Sequence, residues 1–174
     1  MLAGMNRIRA MLASFAILCP LAAPLSARAD TPSPLGPNKG IFGDWTAASY
    51  GTGADKVCYA FTKPQSSKPT LAGRGLAMLT VTQRHASHDE ISLTPGFTYP
   101  KKAVVSLTVG KSKIPFYVQD SVAFTDNVTE ALAGFARESD ATAIATGPKG
   151  KKISDKFSLS GFSSAYKEIT KACP

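Results

Sequence analysis

From Ile41 onward apolar and polar residues alternate in short runs, which is the spacing of strands with one face buried. Phe42, Trp45 and Ala47 open the pattern. Val57, Tyr59 and Phe61 then point to one side, with Cys58 and Ala60 to the other. Lys63 to Gly75, rich in proline, serine and lysine, reads as a long connection, and Leu76 to Gln83 is almost continuously apolar or β-branched, as a central strand is. Arg84 to Glu90 reads as a polar turn, after which Ile91 and Leu93 resume the alternation until Pro95-Gly96 breaks it. Two hairpins follow from their turn residues: Ala103–Val109 with Ile114–Val118 across Gly110 to Lys113, and Ala141–Thr146 with Ile153–Ser160 across Gly147 to Gly150. Val122 and Phe124 add another strand. Asn127 with Glu130 three residues on has the form of a capping box, and Val128, Leu132 and Phe135 keep helical spacing to about Glu138. Phe162, Ala165, Tyr166, Ile169 and Cys173 recur at steps of three and four, so a closing helix carries them on one face. Short strands with two small helices predict a mostly β fold: an antiparallel sandwich or barrel-like single domain over 41–174, the second helix C-terminal.

The segment before this pattern is of another kind. Arg7 and Arg9 precede an apolar run from Ala10 to Pro20, and Ala27-Arg28-Ala29 supplies a small-residue cleavage site, so residues 1–29 read as an export signal. The run is about half the ~20 residues needed to cross a bilayer, and no transmembrane segment is expected in the mature chain. Residues 30–40, with three prolines and two glycines, read as a flexible leader. The formal charge of +8 includes Arg7, Arg9 and Arg28, which leaves +5 after cleavage. That is too mild for a nucleic-acid binder and suits an exported protein, periplasmic, secreted or at the cell surface. Cys19 leaves with the signal. Cys58 and Cys173 remain, an even pair in an oxidising compartment, and a disulfide between them is expected.

The order and spacing of several short motifs resemble the invasion-associated locus B family of exported bacterial proteins. The residues that carry the likeness are Phe42-Gly-Asp-Trp45, Cys58, Leu93-Thr-Pro-Gly-Phe97 leading into Val104–Val109, Ile114-Pro-Phe116, and Leu159-Ser-Gly-Phe162 followed by Ala165. Ala48 and Ser49 after the tryptophan, and the lack of cysteine between Phe116 and Phe124, set the chain apart from disulfide-rich members. The resemblance implies a compact, mostly β protein of the bacterial envelope, linked in some pathogens to host-cell entry, and brings no catalytic residues with it.

Chemistry-bearing residues are few. His85 and His88 lie beside Asp89 and Glu90, so His85, His88 and Asp89 are weak candidates for a metal such as zinc, although a third nitrogen or sulfur donor is missing. There is no Gly-x-Ser-x-Gly elbow and no Cys-x-x-Cys spacing, so neither a hydrolase nor a redox catalyst is indicated, and no cofactor is expected. Trp45, between Phe42 and Ala47, reads as core, not as an exposed anchor. The lysines are more informative: Lys101 and Lys102, Lys111 and Lys113, and Lys149, Lys151 and Lys152 all fall in predicted turns. If two of these turns share one end of the domain they form a basic rim. The expected function is therefore non-catalytic, an exported protein that binds another protein or an anionic envelope component. A periplasmic protein for a small ligand or metal is the alternative.

Overall fold

The computed structural model describes residues 31–85 and 87–174; the export signal expected over 1–29 lies outside them. Twelve strands and two α-helices make one antiparallel domain, of the mostly β class that the alternation predicts: β1 Ser33–Pro34, β2 Ile41–Phe42, β3 Trp45–Tyr50, β4 Val57–Thr62, β5 Pro64–Lys68, β6 Met78–Arg84, β7 Ser87–Thr94, β8 Val105–Val109, β9 Ser112–Gln119, β10 Val122–Phe124, α1 Val128–Phe135, β11 Asp140–Thr146, β12 Lys152–Ser158 and α2 Phe162–Ala172. The hydrogen-bonded order is β1-β3-β4-β6-β7-β10-β9-β8-β11-β12-β5, with β2 also on β3. Two runs of chain serve both halves of this curled sheet. Strand β9 pairs with β8 through Ser112–Phe116 and with β10 through Tyr117–Gln119. Strand β4 pairs with β3 and β6, passes Lys63, and continues as β5 against β12.

Inward positions follow the two-residue period. Trp45 and Ala47, Cys58 and Ala60, Leu79 and Val81, Ile91 and Leu93, Leu107 and Val109, Ala141 and Ala143, and Phe157 are all buried. The small residues matter: Ala47 and Ala60 leave space on β3 and β4 for α2, whose Phe162, Ala165, Ile169 and Cys173 fill it. Trp45 is the hub. Its ring lies 5.0 Å from that of Phe162 and 6.3 Å from that of Phe135 on α1, and its Nε1 donates to the Ser158 carbonyl at 3.1 Å. An indole buried with its N–H bonded costs nothing in orphaned polarity and gains tilted aromatic contacts.

Two of the motifs quoted for the resemblance, Phe42-Gly-Asp-Trp45 and Leu159-Ser-Gly-Phe162, meet here. Gly43 and Asp44 form the turn between β2 and β3, and Asp44 N donates to the Ser160 carbonyl at 3.1 Å. Gly161, at φ +91°, stands so close to the Phe42 carbonyl that a Cβ would collide with it, so backbone meets backbone only because this position is glycine. Helix α2 starts immediately after that contact and ends in a disulfide between Cys173 and Cys58, Cα to Cα 5.9 Å. The expected bond is present. Lys56 adds a second tie, its Nζ donating to the Ala172 carbonyl at 2.9 Å near the negative end of the helix.

Several readings of local structure change. Within the connection expected over 63–75, Pro64–Lys68 is a strand, held by pairing with β12. The turn expected over 84–90 is shorter, because β7 begins at Ser87 and Asp89 takes a positive φ of 61° inside the strand. The leader expected to be flexible runs along β3, where Ser33 and Pro34 pair with Ser49 and Ala48; a proline-containing stretch can lie at a sheet edge because it needs few donors there. The Asn127 capping box does not form. Thr125 Oγ1 instead accepts from Asn127 N at 3.1 Å while donating to the Pro115 carbonyl at 2.8 Å, which fixes the entry to α1 through β9.

Candidate functional site

Four connections gather at one end of the domain: 69–77 between β5 and β6, 95–104 between β7 and β8, the turn at 120–121, and 147–151 between β11 and β12. Their backbones are tied together. Gly75 N donates to the Gly96 carbonyl at 2.8 Å, and Thr146 N donates to the Val104 carbonyl at 3.0 Å while Thr146 Oγ1 accepts from Val104 N at 3.1 Å.

Arg74 locks this end from within. Its guanidinium grips Asp155 through Nη1 to Oδ1 at 2.7 Å and Nη2 to Oδ2 at 2.6 Å, and Nε donates to the Pro95 carbonyl at 2.7 Å. The same group lies 5.5 Å from the ring centre of Phe97. Both side chains of the pair are more than nine-tenths buried, so the two-pronged geometry is what makes their burial tolerable. Tyr99 is buried close by, its hydroxyl 3.5 Å from the Leu93 carbonyl; burial, reinforced by the Asp155 charge, raises its pKa above the ordinary tyrosine value. Arg74 is thus a neutralised fastener, and the outward charge of this end comes from lysines.

The lysine turns divide. Lys101 and Lys102 sit on the 95–104 connection, Lys149 and Lys151 on the 147–151 turn, and Lys152 opens β12 beside it, so these five share one end. All five are exposed. Lys111 does not join them: the β8–β9 turn is Gly110-Lys111 alone, at the opposite end, where Gly110 packs against Glu138. Lys113 is not a turn residue either but stands on the outer face of β9, where it borders the same shallow hollow of about 270 Å³ as Val104, Thr146 and Lys152. A larger groove of about 450 Å³ runs between Leu71–Arg74, Gly96–Phe97 and Pro148–Lys151. Asp120 is the one acidic residue on the four connections, next to Lys101 and Lys102 around a cleft of about 430 Å³.

The metal candidates lie elsewhere. His85 is exposed in the β6–β7 turn, His88 lies in β7, and Asp89 is drawn toward α2, where Oδ1 accepts from Gln83 Nε2 at 2.9 Å and from the Tyr166 hydroxyl at 2.8 Å. Gln83 Nε2 also reaches Thr170 Oγ1 at 3.1 Å. Burial first, then the bond to Asp89, pushes the Tyr166 pKa up to about 12. The carboxylate is therefore engaged in joining α2 to the sheet. Among the described residues no group of three or more His, Cys, Asp or Glu is arranged to hold a metal ion.

Arg74 and Asp155 were not singled out by the sequence, and Phe97 was marked only as the end of the Leu93–Phe97 motif. A signal for one existed: Asp155 alternates with Ile153 and Phe157, which places it on the buried face and calls for a cationic partner. Leu76 and Val104, expected within strands, lie on the connections and are 53% and 72% exposed. Comparison of the chain with protein-family models, with curated proteins and with solved structures found no match in any of the three.

Proposed function

We propose that this chain is an exported, non-catalytic protein of the invasion-associated locus B type that binds an anionic component of the cell envelope through its lysine-bearing end. Contact with a host cell is the wider role that the resemblance implies. One observation carries the reading: Lys101, Lys102, Lys149, Lys151 and Lys152, dispersed over fifty residues of sequence, are gathered on tied connections at one end with a single exposed acid, Asp120. Clustered cations of one sign raise the local concentration of an anionic partner and orient its approach, an effect that fades as salt shortens the screening length. The docking of Phe42-Gly-Asp-Trp45 onto Leu159-Ser-Gly-Phe162 gives the family-like motifs a shared structural task, which agrees with the proposed kinship. A disulfide suits an oxidising compartment.

Sedimentation with isolated envelope fragments tests the proposal. The wild-type protein is expected to co-sediment at ~0.05 M salt and to be released by ~0.5 M, where the screening length is only a few ångströms. The pair Lys149→Glu and Lys151→Glu is expected to weaken binding tenfold or more, at about 1 kcal/mol per lysine near an anionic surface. Equal binding by wild type and variant would reject the lysine-bearing end as the site.

A further inference from the structure

Resting on that reading, and naming its partner, we infer that the lysine-bearing end docks directly on an anionic lipid bilayer, with Leu76 and Val104 entering the interface while the surrounding lysines meet lipid phosphates. The apolar residues are what distinguish a bilayer from a soluble acidic partner. Five large hydrophobic side chains are strongly exposed among the described residues, Ile41, Tyr50, Leu76, Val104 and Tyr117, and two of them, both aliphatic, project from connections of this end. Val104 is held by its backbone, both N and O bonded to Thr146, while its side chain is 72% exposed and outside the core. An acidic polymer in water would use the lysines and gain little from these two side chains. A bilayer interface uses both, since peripheral attachment scales with buried apolar area together with attraction to anionic headgroups.

The cations are available for it. Among the described residues the ion pairs are Arg74–Asp155, Arg84–Glu90 and Lys156–Asp140, so none of the lysines at this end is paired with an acid. Lys68, at the end of β5, adds another beside the 69–77 connection. Long lysine stems lie along apolar surface while the ammonium reaches outward, which lets Lys149 and Lys151 flank the groove by Leu71 and Phe97 and still touch phosphate. The opposite end is mixed in sign: Asp55 stands next to Lys56 before β4, and Glu138 stands beside the Gly110-Lys111 turn, so it offers an anionic surface no comparable group of unopposed cations. The charge distribution therefore sets the orientation, with α1 and the disulfide-tied end of α2 directed away from the lipid.

The test uses the disulfide-bonded protein and vesicles of phosphatidylcholine with and without phosphatidylglycerol. Wild type is expected to sediment with the mixed vesicles at low salt and to stay in solution with pure phosphatidylcholine. The variant Leu76→Ser/Val104→Ser, which removes apolar area without changing charge, is expected to lose about tenfold in partition to the mixed vesicles with an unchanged melting curve, because both side chains are exposed; Val104→Leu is expected to hold or gain affinity. Lys149→Glu and Lys151→Glu should each cost about fivefold. Wild-type-like binding of Leu76→Ser/Val104→Ser to mixed vesicles would overturn docking by insertion and leave a purely electrostatic site. Binding to envelope fragments but not to mixed vesicles would overturn the lipid and leave the envelope reading standing. Failure with both would remove both.

Discussion

Asp155 and Arg74 show how one side chain can decide the fate of an entire loop cluster. With Asp155→Ala, the guanidinium stays buried beneath Phe97 without its counter-charge, so the loss is expected to be about 3–5 kcal/mol, read from urea unfolding. Replacing both residues by apolar ones of similar size is expected to recover much of that. Tyr166 carries a different prediction. Its pKa, raised from 10.0 to about 12 by burial and by donation to Asp89, means that the folded state favours the protonated phenol more than the unfolded chain does. The resulting stability is complete below pH ~10 and is lost as pH climbs from ~10 through ~12. Ultraviolet titration should show its phenolate appearing late, together with alkaline destabilisation, and Tyr166→Phe should flatten that part of the stability profile. None of these pairings was readable in the sequence, because Arg74 lies 81 residues from Asp155 and Tyr166 lies 77 from Asp89; only the inward register of Asp155 hinted that something must meet it.

The strands and helices were more legible than their side-chain partners. Hairpins β8–β9 and β11–β12 and helix α2 fall where the apolar spacing placed them, since each buries one face and so writes its period into the sequence. Strand β5 was illegible for the same reason. Pro64-Gln-Ser-Ser-Lys68 pairs only with β12 and carries no apolar alternation, so nothing local marks it as extended. Helix α2 depends on both of its ends. Gly161 lets its start press on Phe42, and the Cys58–Cys173 bond with the Lys56 contact holds its last turn. The variant Cys58→Ser/Cys173→Ser is expected to lose about 2–5 kcal/mol, and amide exchange should quicken first at Ile169 to Cys173 while β11 and β12 stay protected. Uniform acceleration across the domain would show that the bond does not act on α2 in particular.

The complete domain is polarised in charge, and that polarity is separable from its stability. The basic end rests on exposed lysines over a framework held by Arg74, so Lys149→Glu/Lys151→Glu should elute markedly earlier from a cation-exchange column at neutral pH. Its unfolding free energy should stay within about 0.5 kcal/mol of wild type, as exposed substitutions away from caps and networks do. A large drop in stability would mean that the lysines belong to the framework after all. The sequence announced the lysines but not their gathering, which follows from the order in which β5, β8, β11 and β12 lie side by side.

The margins of the sheet bear on how such molecules behave when crowded. The outer flank of β3 is taken by β1 and β2, each two residues long, and the outlying β5 begins with Pro64 and ends with Lys68. Short, proline-bearing and charged borders give a neighbouring chain no template for strand exchange. Packed densely on a surface, these proteins are therefore expected to remain separate particles and not to knit into fibrils.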